Sequence, residues 1–228
     1  MAANRDEQLA RSWDKPGSHW PGHSGVIAGR DRTGGGTWMG LNRNGLVAAV
    51  LNRPGSLGPA PGKRSRGEIP LIALSRSSAL EAADAISSLD AGQWRSFNLA
   101  LADARGAFFV RGLGHGRPEV RPLSPGLSMI TAHDPNDLES PRVARHLPRF
   151  QAATPPCPDQ GRRGWVAWKN LLADRTGGPA EQINVVPRGG FGTVCSSLLG
   201  LPAQGNPAWL FAAGPPHEAP FEPVPVAG

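Results

Sequence analysis

The sequence predicts an α+β fold with antiparallel sheets. Short apolar runs separated by Gly and Asn turns occupy residues 26–51, which is typical of hairpins. The apolar positions then change to helical spacing between residues 66 and 89, and strand character returns at residue 97. Strands and helices therefore come in blocks. A parallel sheet would need a helix between each pair of strands, so the blocks favour antiparallel pairing.

The first block of strands contains three apolar runs, at residues 26–29, 37–41 and 46–51. The last two runs are separated by a turn that includes Asn44-Gly45. Gly adopts the positive φ that tight hairpin turns need, and Asn tolerates it, so this pair is a strong hairpin signal. An antiparallel sheet is predicted to begin here.

Two helices are predicted between residues 66 and 89, where Leu and Ala recur every three or four residues. Ser77 or Ser78 is expected to cap the second helix, because a hydroxyl at this position accepts a bond from a free backbone N–H. Strands at residues 97–102 and 107–110 follow.

The second half of the chain is predicted to contain a strand, two helices and two further strands. They are placed over residues 127–131, 141–150, 162–174, 193–199 and 209–213. Residues 26–52 and 97–132 are expected to contribute most of the sheets. We predict one domain over residues 1–214, followed by a proline-rich C-terminal tail over residues 215–228.

The composition is that of a folded protein with many loops. Apolar residues make up 39% of the 228, which is enough for a packed core once the 30 glycines are added. The 24 prolines and 30 glycines show no period, so they are expected in turns. No apolar run approaches the ~20 residues that span a bilayer, so no stable membrane insertion is expected. The cytoplasm is the default location.

The net charge is +6 and the sequence pI is about 10.5, yet the cations do not form a nucleic-acid footprint. Most of the 24 cations are arginines scattered along the chain, and Tyr is absent. A nucleic-acid module would group its cations on one element or interleave them with stacking aromatics. A small-molecule ligand or substrate is therefore the expected partner, and the oligomeric state is left open.

A short basic segment, residues 62–66, precedes the first predicted helix. It would suit a phosphate or a propionate, although such a cluster is more often simply solvated. Cys157 and Cys195 are 38 residues apart with no paired-ligand spacing, so neither a metal site nor a disulfide framework is predicted. Cys195 lies inside a predicted strand, where a cysteine is more often a small core residue than a nucleophile.

The tetrapeptide Asn4-Arg5-Asp6-Glu7 resembles the signature of the NRDE family, which includes the transport and Golgi organisation protein of animals. Further segments that are similar to the family follow in the family's order. They are residues 28–31, 35–40, 45–48, 51–53, 66–68, 97–99 and 190–193. The resemblance covers nearly the whole chain.

The resemblance implies an N-terminal-nucleophile (Ntn) hydrolase-like fold, an αββα sandwich of two antiparallel sheets. In such enzymes the α-amine of the first residue is the base for its own side chain. By this analogy Arg5 and Asp6 would orient nucleophile and substrate, and the Asn52 amide would donate to a developing oxyanion. We predict that these three residues converge on one cleft. The alternative is that Arg5 and Asp6 form an ion pair at a strand end and that Asn52 caps the turn before Pro54.

This sequence departs from the family pattern at positions that hydrolysis needs. NRDE proteins usually begin Met-Cys, whereas Met1 has a thioether and Ala2 has no nucleophile. We therefore expect the first strand to be missing, an unpaired sheet edge beside residues 4–7, and no Ntn activity. Related hydrolases also have an Asn near residues 131–133, and many relatives have an Arg where Val194 stands.

Two functions follow from the resemblance. The first is a non-catalytic NRDE-family protein that handles a hydrophobic small molecule, with haem as the best single candidate because family members are implicated in haem trafficking. The second is an N-terminal-Cys amide hydrolase, which requires an upstream Cys-bearing strand. His133 is the candidate haem ligand, although a solvated or capping role is the alternative for each histidine. The six histidines are His19, His23, His115, His133, His146 and His217. No resident cofactor or metal is predicted.

Overall fold

The computed structural model describes residues 1–202 and 205–226 and confirms the α+β fold with antiparallel sheets. The strands are β1 (Ala2–Gln8), β2 (Trp13–Gly17), β3 (Val26–Asp31), β4 (Met39–Asn42), β5 (Val47–Asn52), β6 (Phe97–Ala102), β7 (Ala107–Gly112), β8 (Glu119–Pro122), β9 (Phe191–Gly200), β10 (Ala208–Ala212) and β11 (Phe221–Pro223). The α-helices are α1 (Glu68–Leu74), α2 (Ala79–Ser87), α3 (Pro141–Ala152) and α4 (Val166–Leu172), and short 3-10 helices cover Ala91–Gln93 and Pro158–Trp165. The chain divides into two compact units, which are described separately.

The unit formed by residues 12–135 is built on a seven-stranded antiparallel sheet. Its strands follow one another in chain order from β2 to β8, so every connection joins neighbours. The predicted hairpin is confirmed: β4 and β5 pair through Leu41 and Val47, and Gly45 supplies the positive φ of 76° that the turn requires.

The two helices of this unit pack against one face of its sheet. The core that they share with the sheet includes Ile69, Leu74 and Ile86 from the helices and Phe97 and Leu99 from β6, each no more than 2% exposed. Burying each such side chain stabilises the fold by about 1.5–3 kcal/mol.

The N-cap of α2 is Ser78, which confirms one of the two predicted caps. Its side chain accepts a bond from the backbone N–H of Glu81. The Glu81 carboxylate accepts in return from the N–H of Ser77 at 3.0 Å, so two free donors of the first turn are satisfied.

The predicted strand over residues 127–131 is wrong. Residues 127–131 lie in no helix or strand, and the edge place beside β7 is taken by β8. The sequence did not predict β8, because its charged and proline residues do not alternate with a buried apolar face.

The unit formed by residues 1–11 and 136–226 contains a four-stranded antiparallel sheet in the order β1-β9-β10-β11. The NRDE tetrapeptide lies within β1, which is an edge strand of this sheet. The segment predicted to be a proline-rich tail contributes β11, which pairs with β10 through Phe221 and Ala212. The sequence did not predict β11, because Pro and Glu surround Phe221 and the segment shows no alternation of apolar and polar residues.

The helices of this unit follow the prediction in part. Ser140 caps α3 and Pro141 occupies its first turn, as predicted. The predicted helix over residues 162–174 is instead a 3-10 segment followed by α4. The chain turns before α4 because Gly161 has a φ of 56° and the backbone of Gly164 contacts the carbonyl of Cys157 too closely for a side chain. Among the described residues, no helix has the length and apolarity to cross a membrane.

Candidate functional site

Arg5 and Asp6 stand at an irregularity in the pairing of β1 with β9. Arg5 lies opposite Cys195, whereas Asp6 lies opposite Thr193, so Val194 is an extra residue on β9. Such a bulge bends the strand and re-aims neighbouring side chains, and bulges are common beside active sites. The signature residues are therefore positioned by a local backbone feature that the sequence did not predict.

The Asp6 carboxylate is held by groups from two other elements. The hydroxyl of Thr193 donates to one of its oxygens at 2.6 Å, and the guanidinium of Arg142, on α3, donates to the other at 3.2 Å. The Thr193 hydroxyl in turn accepts from the backbone N–H of Val185 at 2.8 Å. Burial raises the pKa of Asp6, and the nearby Arg142 and Thr193 lower it by less.

Arg5 is also largely buried, with 9% of its side chain exposed, and it lies 3.7 Å from the carboxylate of Glu7. The sequence did not predict that Arg142 and Thr193 are partners of Asp6. The cap at Ser140 does place Arg142 in the first turn of α3, but its long-range contact with β1 leaves no local signal.

Cys195 is a core residue, as predicted. It is 1% exposed, and burial raises the pKa of its thiol to about 12, with the positive charge of Arg5 lowering it by less. A thiol with this pKa is protonated at neutral pH and is a poor nucleophile. The α-amine of Met1, in the same unit, donates to the carbonyl of Leu199 at 2.6 Å, and burial lowers its pKa to about 6.

Asn52 is the last residue of β5, opposite Phe97 of β6. Its side chain makes no hydrogen bond to any residue that the structure describes, and it is half-buried. The alternative role as a turn cap is wrong, because Ser56 caps that turn: its hydroxyl accepts from the N–H of Arg53 at 2.9 Å and donates to the Arg53 carbonyl at 2.8 Å. The Asn52 amide is therefore available to a ligand.

Arg5 and Asp6 belong to one compact unit, and Asn52 and His133 belong to the other. The convergence of Arg5, Asp6 and Asn52 on one cleft stays a prediction.

His133 lies in an irregular segment that a buried amide holds in place. Asn98, which is fully buried in β6, donates to the carbonyls of Thr131 at 2.9 Å and of His133 at 2.8 Å. Its own carbonyl accepts from the guanidinium of Arg53 at 2.6 Å. Because a buried amide left without partners is costly, the three bonds hold the Asn98 side chain in place, and the two that it donates fix the backbone at His133.

Asp134, the residue after His133, forms ion pairs with three arginines. Asp134 accepts bonds from Arg53 at 2.8 Å, from Arg111 at 2.9 Å and from Arg121 at 3.4 Å. Arg111 and Arg121 also share the carboxylate of Glu119, at 2.7 and 3.4 Å. The arginine cluster, defined as these five residues, contains three cations and two carboxylates and carries a net positive charge.

Exposure differs across the arginine cluster. The side chains of Arg53 and Arg111 are 16% and 21% exposed, whereas that of Arg121 is 50% exposed. The sequence did not predict the cluster, because its members come from the turn after β5, from β7 and β8, and from the loop after β8, so no segment contains more than two.

A family comparison adds to this geometry. The model of the Transport and Golgi organisation 2 family matches residues 1–156 of the chain. The chain belongs to this family. It is the same family as the NRDE family that the signature in β1 indicated, and the match extends through α3. A search of curated proteins finds no matching relative.

The basic segment of this Transport and Golgi organisation 2 family member is engaged within its own unit. Lys63 donates to the carbonyl of Gly92. Arg64 pairs with Glu68 and lies over the ring of Trp94 at 4.8 Å. These contacts favour the structural role of the segment over phosphate or propionate binding.

The last cation of the basic segment has the same role. Arg66 donates to the carbonyls of Ser56 and Ser96, which ties the loop after β5 to the start of β6. Within the described part of this family member, no three His, Cys, Asp or Glu side chains gather closely enough to hold a metal ion.

Proposed function

We propose that this family member is a non-catalytic binding protein for a hydrophobic small molecule that carries carboxylates, with haem as the candidate. The observation that carries the proposal is the arginine cluster, whose Asp134 is the residue after His133. Haem iron is held by a histidine in many proteins, and arginine is well suited to binding its propionates.

The position of His133 supports this role. Two bonds from the Asn98 amide hold the backbone at Thr131 and at His133, so a ligand that binds there meets a fixed main chain. Pre-organisation of this kind reduces the entropy lost on binding. The half-buried environment of His133 also suits a ligand that is itself mostly apolar.

The charges of the arginine cluster support an anionic ligand. Its positive excess is not neutralised by Asp134 and Glu119. The half-exposed Arg121 lies at the long distance of 3.4 Å from both of these carboxylates, so a ligand carboxylate can replace its weakest contacts. Arg53 and Arg111 keep Asp134 in place meanwhile.

The state of the cysteines supports binding over catalysis. With its pKa raised to about 12, the Cys195 thiol is ionised to roughly one part in 10⁵ at pH 7. Cys157 is exposed and lies outside the described surroundings of Arg5 and Asp6. We further propose an Ntn-like αββα fold, a cytoplasmic location and no nucleic-acid partner.

Titration with ferric haem tests the proposal, with the Soret band as the readout. His133→Ala is expected to shift the band and to weaken binding at least about tenfold, because the axial ligand is lost. His115→Ala is the matched control, since His115 is exposed and outside the arginine cluster. Equal spectra and affinities for the two variants would show that His133 is not the ligand.

A second proposed function is an amide hydrolase whose nucleophile is an N-terminal Cys on an upstream strand. The observation that favours it is the Asn52 amide, which makes no hydrogen bond to any described residue and is free to bind an oxyanion. Inspection of the coding DNA upstream of Met1 for an in-frame Met-Cys is the first test. A chain extended by that strand should hydrolyse amides, and Asn52→Ala should lower kcat by about 10²–10³. Absence of turnover in the extended chain would reject this function.

A further inference from the structure

A small basic cleft lies in the unit formed by residues 12–135, on side chains that the proposed function does not use. It is bounded by the segment before β3, the turn between β4 and β5, and the C-terminal end of α1. Its volume is about 230 Å³. Pockets for drug-sized ligands are about 300–1,000 Å³, so this cleft suits a smaller molecule.

The ionisable side chains that line the cleft are basic. They are Arg43, Arg76 and His23, and none of the described residues that line it carries a carboxylate. In a chain where 18 acidic residues accompany 24 cations, two arginines would ordinarily meet a carboxylate, as the arginine cluster does. An uncompensated positive pair in a concave site attracts an anion.

Arg43 is held in position without its charge being neutralised. One of its terminal nitrogens donates to the carbonyl of Ser24 at 2.8 Å and to the Ser24 hydroxyl at 3.1 Å. The guanidinium lies against Gly25, where a Cβ would be 2.4 Å from its Nε atom, and Gly25 also has a φ of 85°. The other nitrogens of Arg43 make no hydrogen bond to a described residue, so several donors remain for a ligand.

The backbone beneath Arg43 is rigid. The carbonyl of the Asn42 side chain accepts from the N–H groups of Asn44 and Leu46, at 2.9 and 3.0 Å, which fixes the turn. The Asn42 amide donates to the carbonyls of Leu74 and Arg76 at 2.9 and 2.7 Å. The carbonyls at the end of α1, which would otherwise favour a cation, are therefore already bonded.

We propose that this cleft binds a small phosphate-type oxyanion through Arg43 and Arg76, with His23 at its rim. The guanidinium of Arg43 is pre-positioned and can donate hydrogen bonds to two oxygens of the anion. The side chain of Arg76 is exposed, makes no hydrogen bond to a described residue and supplies the second charge. The anion is either free phosphate or the phosphate of a small monoester, because both present the same oxygens.

Isothermal titration of the full chain with inorganic phosphate and, separately, with glycerol phosphate tests the proposal, at ionic strength held constant with chloride. Saturable binding of one anion per chain is expected. Tighter binding of glycerol phosphate identifies a monoester ligand, and equal or tighter binding of phosphate identifies the free ion. Absence of saturable binding by either anion overturns the proposal.

Variants distinguish binding in the cleft from non-specific attraction of the anion to the positive net charge of the chain. Arg76→Ala is expected to weaken binding about tenfold, because one charge-assisted contact is lost. Arg43→Lys keeps the charge and removes the fork, so it should also weaken binding. Arg117→Ala is the matched control, since Arg117 is exposed and outside the cleft. If Arg117→Ala weakens binding as much as Arg76→Ala, the effect is that of net charge and the cleft is not the site.

Discussion

The surroundings of Asp6 and the arginine cluster both join an aspartate to arginine, but they differ in solvent access. Asp6, with 16% of its side chain exposed, is paired with one arginine, and burial raises its pKa. Asp134 meets three arginines, and one of these, Arg121, is half-exposed. A buried carboxylate with few partners is a structural element or a proton-carrying group. A cluster with an excess of accessible arginine donors is suited to binding an anion.

The strongest test of this difference removes the amide that holds the second region together. Asn98→Ala deletes three hydrogen bonds of a fully buried side chain and leaves the carbonyls of Thr131 and His133 without their partner. We expect the free energy of unfolding to fall by about 3 kcal/mol. Urea denaturation measures this change.

Asn44→Ala is the control for Asn98→Ala, because Asn44 is exposed and its side chain makes no hydrogen bond to a described residue. It should change stability by less than about 0.5 kcal/mol. A loss for Asn98→Ala that is equally small would mean that the segment around His133 is held by other contacts.

The pH dependence of the stability of Asp6→Asn tests the first region, the surroundings of Asp6. Since the folded pKa of Asp6 is raised, its contribution to stability is fully present below the unfolded pKa of about 3.9 and is lost as the pH rises through the folded pKa. The Asn variant lacks this loss. Its stability relative to the wild type should therefore increase from pH 4 towards pH 7, as measured by urea denaturation. A difference that does not change with pH would show that the carboxyl is not perturbed by burial.

A second titrating group in the same unit as Asp6 predicts the opposite pH trend. His146 is fully buried, contacts the carbonyl of Glu181 at 2.9 Å and lies 3.2 Å from Arg149. Burial lowers its pKa, so the stability that it contributes is present above the ordinary value of about 6.5 and is lost as the pH falls below it. His146→Gln should reduce the loss of stability between pH 7 and pH 5, and His115→Gln should not. Identical pH profiles for wild type and His146→Gln would contradict this assignment.

The smallest expected effect concerns the reactivity of the two cysteines with a thiol reagent. Cys157 is exposed, and Cys195 is buried with a pKa raised to about 12. A thiol reagent at pH 8 should therefore modify one cysteine per native chain and both after denaturation. Cys157→Ser should leave no reactive thiol in the native protein. Rapid modification of Cys195 in that variant would contradict its assignment as a buried, unreactive thiol and would make it a candidate nucleophile beside Arg5.

The elements that the sequence predicted correctly depend on local signals. The Asn44-Gly45 turn and the cap at Ser78 need only neighbouring residues, so the pattern alone locates them. The short edge strands β8 and β11 were not predicted, because their charged and proline residues do not form the alternating apolar pattern of a strand.

Of the candidate sites, the sequence predicted the residues that the family resemblance indicates, but not the residues that contact them. Arg5 and Asp6 came from the tetrapeptide, but the partners of Asp6 are more than a hundred residues away in sequence. Arg53 and Asp134 are also far apart, at 81 residues, and their contact is set by the folded sheet. Long-range contacts of this kind carry no local pattern.

The most direct test of the proposed binding function compares ferric haem with its dimethyl ester, which keeps the iron and the ring but lacks the propionate charges. The account predicts that the wild type binds the ester at least about tenfold more weakly, because the charge-assisted bonds to arginine are lost. Arg121→Ala should reduce this preference, since Arg121 is the half-exposed member of the arginine cluster. Equal affinities of the wild type for haem and its ester would contradict the claim that the arginine cluster binds the carboxylates of the ligand.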